Sequence, residues 1–287
     1  MNFLQVLILA LVQGAAELLP VSSSAHVIAA ERLMGLDPAR PEMTFLLVML
    51  HTGTMFADIV YFRRRWMNQW NERAPEQRRA LFKNLVLALA GTAVIGLTLK
   101  TVIEKTVFRG DSKAEIENLF GNLPLIGTAL LASGILILLS VRLEKRAVKR
   151  AELNAKDALW IGGVQGVCLP FRGFSRSGAT ISTGLSRGLN RALVEDFSFL
   201  LAVILTPPVI ARELLRLMKA KSEGLGVTES LTTLLVPGLL GMALSFLSAW
   251  LALKWLSAWL ENGKWGTFGY YCLGASAFLF WMSSRGF

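Results

Sequence analysis

Residues Gln13–His26 read QGAAELLPVSSSAH, a polar segment that lies inside the apolar stretch Phe3–Met34. Gln13 and Glu17 are four positions apart, so a helix places both side chains on one face. Proline then ends this helix, and the serines that follow can cap the next one. Non-helical backbone at membrane depth survives only where protein or water satisfies its polar groups. The segment therefore predicts a re-entrant pair of half-helices whose turn lines a cavity.

A second interrupted apolar stretch, Ala158–Leu189, repeats this pattern. It is broken at Pro170–Gly178 by the sequence PFRGFSRSG. In both stretches a Gln-Gly dipeptide precedes the proline and a serine cluster follows it. We interpret the chain as one membrane domain, residues 1–287, built from an internal repeat with halves of about 1–150 and 151–287.

The rest of the chain is apolar enough to cross a membrane several times. Hydrophobic residues make up 53% of the 287 residues, and charged residues only 17%, against about a quarter in soluble domains. A spanning helix needs about 20 apolar residues. Six segments meet this requirement: Met43–Phe62, Leu81–Val102, Gly121–Val141, Val194–Ala211, Leu231–Leu256 and Gly266–Met282.

The predicted fold is an all-α integral membrane protein with six transmembrane helices and two re-entrant helix-loop-helix pairs. Three spans per half is an odd number, so the second half starts on the opposite face and the repeats are inverted. The tips of the two hairpins then meet near the middle of the bilayer. The basic segments Arg63–Lys83 and Arg142–Lys156 are expected on the cytoplasmic side. Arg212–Lys221 disagrees, because it has four basic residues where the topology needs an external loop.

Charge and cysteine content argue against two other classes of function. The net charge is +10, but the basic residues are not interleaved with stacking aromatics, so we expect no nucleic-acid partner. Cys168 and Cys272 lie in apolar sequence without the spacing of a cysteine metal site, and a disulfide framework is not expected.

The first polar segment contains side chains that suit catalysis. A carboxylate in an apolar helix, such as Glu17, is costly and usually functional. Together with the amide oxygen of Gln13 it can hold a hard divalent cation, Mg²⁺ or Ca²⁺. His26 lies three residues after Ser23, and this pair can supply a nucleophile and a base. The structural alternatives are a Glu17–arginine pair, serines that only cap a helix, and a buried histidine.

The second segment, Gly173–Ser182, suits an anion. A helix N-terminus attracts anions, and arginine binds phosphate through two hydrogen bonds. Metal and arginine would neutralise a di- or polyphosphate while a nucleophile or water attacks phosphorus. The structural alternative is that Arg176 only satisfies carbonyls in a broken helix. The predicted catalytic residues are Glu17, Ser23, His26 and Arg176, and the predicted phosphate ligands are Ser22, Ser24, Arg172, Ser175, Ser177 and Thr180.

Two further polar residues, His51 and Asp58, lie in the first predicted span. His51 either contributes to the site or packs between helices, and the sequence leaves both interpretations open.

The motifs resemble those of a known family. The segments are QGAAE at Gln13–Glu17, PVSSSAH at Pro20–His26, GFSRSGATIS at Gly173–Ser182 and FSFLLAV at Phe197–Val203. On these residues the chain resembles the undecaprenyl-diphosphate phosphatase family, the bacitracin-resistance type, over essentially its whole length.

This resemblance implies an enzyme of the bacterial inner membrane that hydrolyses undecaprenyl diphosphate to undecaprenyl phosphate and recycles the lipid carrier for peptidoglycan. It also implies an inverted-repeat fold with a site open to the periplasm. Glu17 and Gln13 would serve the divalent metal, and Arg176 would bind the diphosphate. Ser23 or His26 would be the nucleophile or the acid/base. The expected partners are a polyprenyl diphosphate and membrane lipids, and a homodimer is left open.

The chain departs from the family pattern at three places. Gln13 stands where many members have a second glutamate, and His51 stands where many have a glutamine. The second turn contains Phe171-Arg172 between proline and glycine, where members commonly have a compact Pro-Gly.

Two functions other than hydrolysis fit part of the sequence. Inverted repeats with broken helices also occur in transporters, which favours a flippase for a phosphate-bearing polyprenyl lipid. A protein that only sequesters the lipid is the other alternative. The Ser23/His26 pair argues for catalysis, because binding alone does not need it.

Overall fold

The computed structural model describes residues 2–38, 40–107, 119–222, 231–261 and 264–287, and these contain ten α-helices. The only backbone pairing outside them that forms a β-bridge in these ranges joins Arg150 to Leu189. The helices are α1 (Phe3–Glu17), α2 (Ser23–Leu33), α3 (Pro41–Glu72), α4 (Pro75–Val107), α5 (Leu123–Glu144), α6 (Ala155–Cys168), α7 (Arg176–Ser186), α8 (Arg191–Ser222), α9 (Leu231–Glu261) and α10 (Trp265–Ser284).

Both predicted breaks are confirmed. The chain leaves α1 after Glu17 and enters α2 at Ser23, and it leaves α6 after Cys168 and enters α7 at Arg176. Each half of the chain therefore has the same order of elements, two short helices followed by three long ones. The inversion of the two halves across a membrane stays a prediction.

Five of the six predicted spans are long and apolar enough to cross a membrane, namely α3, α4, α5, α8 and α9. The sixth, α10, has 20 residues. It is not among the helices that meet this criterion in the described part of the chain, and its crossing of the membrane stays a prediction. Several helices extend beyond the predicted limits, as α3 does to Glu72. Hydropathy marks only the apolar part of a helix, whereas backbone hydrogen bonding continues into polar sequence.

The segment Arg212–Lys221, expected as an external loop, is instead part of α8, which continues to Ser222. Arg216 lies 3.6 Å from Glu213 one turn earlier. Lysine and arginine are favourable near a helix C-terminus because they face the negative end of its dipole. The basic residues that disagreed with the predicted topology therefore belong to a helix end.

The two short hairpins pack among the long helices. The first hairpin lies against α9 and α3 through α1, and the second lies against α4 through α6 and against α5 and α8 through α7. Helices α5 and α10 pack together, as do α3 and α9. One apolar core that includes Ile126, Leu130 and Ile181 joins α5 to α7. The long helices thus hold the hairpin turns inside the molecule.

The base of the second hairpin is fixed by Asp157. Asn154 and Asp157 form reciprocal hydrogen bonds at the start of α6. The fully buried Asp157 carboxylate also accepts from Arg150 at 3.0 Å and from Arg187, just after α7, at 2.6 Å. The start of α6 and the end of α7 are therefore bound to one carboxylate.

We expect Gly162→Ala to lower the melting temperature in detergent by several degrees. A Cβ at Gly162 would overlap the backbone of Ala88, because α6 and α4 are in direct contact there. The matched control is Gly163→Ala, since a Cβ at Gly163 meets nothing within 4 Å. Alanine is a better helix former than glycine by about 1 kcal/mol, so the control should be neutral or stabilising. Equal losses in both variants would contradict this packing.

Candidate active site

Glu17, the last residue of α1, is the centre of the site. Its Oε1 accepts from Arg176 Nη2 at 2.9 Å. Its Oε2 accepts from Ser23 Oγ at 2.5 Å and from Gln13 Nε2 at 2.8 Å. His51 Nε2 lies 3.5 Å from the same oxygen. The prediction that Gln13 and Glu17 share one face is confirmed, and the carboxylate joins both hairpins and α3.

The tips of the two hairpins touch, as predicted. Ser177 Oγ donates to the carbonyl of Leu19 at 3.3 Å. A Cβ at Gly178 would lie 3.0 Å from the carbonyl oxygen of Pro20. The polar backbone of the first turn is thus partly satisfied by the second, which is what an irregular segment inside apolar surroundings requires.

The first serine cluster does not cap α2 as expected. Ser22 precedes the helix with a φ of 65°, in the left-handed region, and its side chain makes no capping bond to the helix. Its Oγ lies 3.3 Å from Ser24 Oγ instead. A residue other than glycine in this conformation costs about 1–3 kcal/mol and often occurs at functional sites.

The second turn has a regular cap. Ser175 Oγ accepts from Gly178 N at 3.1 Å, and Ser175 N donates to Ser133 Oγ at 2.8 Å. Gly173 has a φ of 100°, and a Cβ there would overlap the carbonyl oxygen of Ile126. The turn therefore needs glycine at this position. It also places the guanidinium of Arg172 3.9 Å from the centre of the Phe120 ring.

The two tips open onto one cavity of about 230 Å³. The N-termini of α2 and α7 both lie at its wall, and helix N-termini favour anions. Its remaining wall includes residues of α8 on both sides of Pro207 and Pro208, which lie inside that helix. Eight predicted site residues line the cavity: Glu17, Ser22, Ser23, Ser24, Arg172, Ser175, Arg176 and Ser177.

His26 lies outside this cavity, so the expected pairing with Ser23 is not formed. Its Nδ1 donates to the carbonyl of Ser22 at 2.8 Å, and its Nε2 lies 2.8 Å from the Tyr271 hydroxyl. The imidazole borders a separate, mostly apolar cavity of about 570 Å³ between α1, α2, α5 and α10. Ser23 is the first residue of α2 and turns back toward α1, whereas His26, most of a turn later, faces α10.

Two other predicted residues lie behind the wall of the cavity. Thr180 Oγ1 donates to the carbonyl of Arg176 at 2.8 Å and lies 2.6 Å from Ser198 Oγ, so it is turned away from a ligand. Gln13 is fully buried beneath Glu17, and its Oε1 has no hydrogen-bond partner among the described residues.

The structure adds His51 and Asp58, which the sequence left open. His51 lines the cavity. Asp58 is buried two turns further along α3, within electrostatic range of Arg176 and Glu17. Their spacing of seven residues places both on one face of α3, but only the packing of α3 against the hairpins shows that this face meets the site.

These features define an all-α membrane protein with an internal cavity, lined partly by polar side chains, between two helix turns. Comparison with known proteins identifies the group more closely. The family model described as "Bacitracin resistance protein BacA" matches residues 6–278, and the chain belongs to this family. The resemblance inferred from the motifs is therefore confirmed.

Several named relatives align over nearly their whole length. The chain is 54% identical to "Undecaprenyl-diphosphatase 2" of Acinetobacter baylyi over 278 residues, 96% of each protein. It is 31% identical to "Undecaprenyl-diphosphatase" of Desulfosudis oleivorans, covering 99% of this chain and 100% of the relative. It is 32% identical to "Undecaprenyl-diphosphatase 2" of Chromobacterium violaceum, covering 95% and 96%.

We expect Ser22→Gly to be more stable than Ser22→Ala by about 1 kcal/mol, because glycine adopts the left-handed conformation without strain. Both variants lose the contact with Ser24 equally. Ser24 lies inside α2, so the order should reverse there, with Ser24→Ala more stable than Ser24→Gly. Thermal unfolding of the four variants in detergent measures this, and the same order at both positions would contradict the assigned backbone.

Proposed function

We propose that this protein hydrolyses undecaprenyl diphosphate to undecaprenyl phosphate and inorganic phosphate. Membership of the family and relatives named undecaprenyl-diphosphatase support this assignment. The observation that carries it is the meeting of two helix N-termini, Arg176 and a hydrogen-bonded Glu17–Ser23 pair at one cavity. A protein that only binds or moves the lipid has no need of a hydroxyl paired with a carboxylate.

Ser23 is the proposed nucleophile, and Glu17 rather than His26 is its base. As Ser23 Oγ attacks the terminal phosphorus, its proton passes to Glu17 Oε2, to which it is already hydrogen-bonded. The bond from that phosphorus to the bridging oxygen breaks, and undecaprenyl phosphate leaves. Water then attacks the phosphorus of the phosphoserine, the bond from phosphorus to Ser23 Oγ breaks, and Oγ takes back the proton from Glu17 as inorganic phosphate leaves. The two steps together consume one water molecule for each diphosphate cleaved.

Arg176 is the proposed clamp for the terminal phosphate. It is paired with Glu17 in the described structure, so an incoming phosphate competes with this carboxylate for the guanidinium. The backbone N–H groups at the start of α2 and α7 add positive potential that suits the charge developing in the transition state. Arg172, which stacks on Phe120 and lines the cavity, is the proposed contact for the second phosphate.

A divalent cation is the proposed cofactor. The residues fit one, because the Gln13 side chain reaches the Glu17 carboxylate through Nε2, while its buried Oε1 has no hydrogen-bond partner among the described residues. These oxygen ligands suit Mg²⁺ or Ca²⁺, and Mg²⁺ commonly uses one or two carboxylates together with substrate phosphates. When bound, the ion would neutralise phosphate oxygens. Gln13 and Glu17 would hold it.

The protein is a multi-pass membrane protein, and we propose that it works in the bacterial inner membrane with the cavity open to the periplasm. The prenyl chain would stay among membrane lipids while the head group enters between the hairpin tips.

We expect Glu17→Gln and Ser23→Ala each to lower kcat for phosphate release by about 10²–10⁴-fold, since each removes a member of the proton-transfer pair. His26 is proposed to position the Ser22 carbonyl, a bond that glutamine can still make. His26→Gln should therefore keep at least about a tenth of the activity. If His26→Gln lowered kcat as much as Ser23→Ala does, His26 would have to take part in the catalytic step.

We also expect Arg176→Ala to abolish phosphate release. Arg176→Lys should retain a measurable rate with KM raised by about tenfold or more, because lysine keeps the charge but loses the paired hydrogen bonds. Steady-state kinetics with a prenyl diphosphate in detergent distinguish these outcomes. Unchanged kinetics in both variants would refute the proposed clamp.

A further inference from the structure

We propose that His51 is a nitrogen ligand of the divalent cation at Glu17, and that this nitrogen makes the site prefer a first-row transition ion such as Mn²⁺ over Mg²⁺ and Ca²⁺. This inference rests on the proposed function, because it concerns the cation of the same site. It is specific to this chain, in which position 51 is a histidine and position 13 an amide.

The hydrogen bonds of His51 orient it as a ligand. Its Nδ1 lies 2.7 Å from the carbonyl oxygen of Leu47. A carbonyl only accepts, so Nδ1 carries the hydrogen, and the Nε2 of the neutral ring has a free lone pair. Histidines that bind metals nearly always donate their other N–H to a carbonyl or carboxylate in this way, which fixes the ring. The lone pair of Nε2 faces Glu17.

A cation beside Nε2 would satisfy the electron lone pairs that meet there. Nε2 lies 3.5 Å from Glu17 Oε2, beyond the usual length of an N–H···O hydrogen bond. That oxygen already accepts from Ser23 and Gln13. A neutral His51 therefore presents one lone pair to another, an arrangement that a positive ion between them stabilises. The side chain is also 32% exposed on the cavity side, where an ion can enter.

Gln13 can supply a second neutral ligand. Its Oε1 is buried without a partner in the described part of the chain. The oxygen and nitrogen of an amide occupy equivalent positions after rotation by 180°. That rotation would bring Oε1 toward Glu17 Oε2, which is unfavourable between two acceptors but favourable once a cation is present. One imidazole, one carboxylate and one amide would then surround the proposed cation.

The ligand types set the preference among ions. Among the residues described, no group of three His, Cys, Asp or Glu side chains is placed to hold a metal ion, so the proposed cation would have few protein ligands of these types, and each would have a large share in the selectivity. Sites with only oxygen ligands suit Mg²⁺ and Ca²⁺, whereas an imidazole increases the affinity for first-row transition ions. We therefore expect the nitrogen of His51 to make the affinity of the site for Mn²⁺ higher than its affinity for Mg²⁺ or Ca²⁺.

His26 provides a matched control. It is the other of the two histidines in the chain, and its Nδ1 likewise contacts the carbonyl four residues earlier. Its Nε2, however, is occupied by the Tyr271 hydroxyl. The two histidines thus share the Nδ1 contact, but only His51 has its Nε2 at Glu17.

The test is pulsed electron paramagnetic resonance of the purified full-length protein in detergent with MnCl₂ alone. We expect a ¹⁴N coupling from one imidazole in wild type and in His26→Gln, and its loss in His51→Gln. Glutamine retains an N–H donor for the Leu47 carbonyl, so the fold should persist, and the metal-free melting temperature checks this. The wild-type spectrum decides independently of any variant, and absence of ¹⁴N coupling in it overturns the proposal.

A second measurement addresses selectivity. The melting temperature of wild type and of His51→Gln is measured as a function of the concentration of Mn²⁺, Mg²⁺ or Ca²⁺. We expect wild type to reach saturation at an Mn²⁺ concentration about tenfold lower than His51→Gln does. The Mg²⁺ curves of the two proteins should be equal, and so should the Ca²⁺ curves. Equal Mn²⁺ curves in the two proteins would also overturn the proposal. Phosphate release from a prenyl diphosphate by the same preparation is measured separately. Release without ¹⁴N coupling refutes the ligand alone, and coupling without release refutes the phosphatase function alone.

Discussion

The ion pair between Glu17 and Arg176 is the interaction on which the site depends. Each charge lies at a non-helical turn inside apolar sequence, where an isolated charge is costly. The pair lowers this cost for both turns, because the carboxylate belongs to the first hairpin and the guanidinium to the second. Removing either partner from a buried pair typically costs about 3–5 kcal/mol. The contact between the two halves of the chain and the chemistry of the site therefore rest on the same two residues.

This arrangement connects substrate binding to the strength of the base. While Arg176 neutralises Glu17, the carboxylate is a poor acceptor for the Ser23 proton. In the proposed mechanism, a substrate phosphate competes with Glu17 for the guanidinium of Arg176, so binding of the head group changes the charges that surround the carboxylate.

The sequence predicted those features that follow from local chemistry. Proline and serine clusters inside apolar stretches located both breaks, and the four-residue spacing of Gln13 and Glu17 gave their shared face. It did not predict the direction of His26, because a three-residue spacing does not say which neighbouring helix a side chain meets. For the same reason it did not predict that Thr180 contacts Ser198 on another helix and does not line the cavity. His51 was left open because its role depends on the packing of α3.

The wall of the cavity opposite the hairpins is formed by a helix, α8, that contains two prolines. Pro207 and Pro208 lie within α8, and neither can donate a hydrogen bond to the carbonyl one turn earlier. A helix bends most easily where such bonds are missing. Residues on both sides of these prolines line the cavity. The hairpin tips are joined by an ion pair and a hydrogen bond, whereas the helix that faces them lacks two backbone hydrogen bonds, so α8 is the part of the cavity wall that bends most easily.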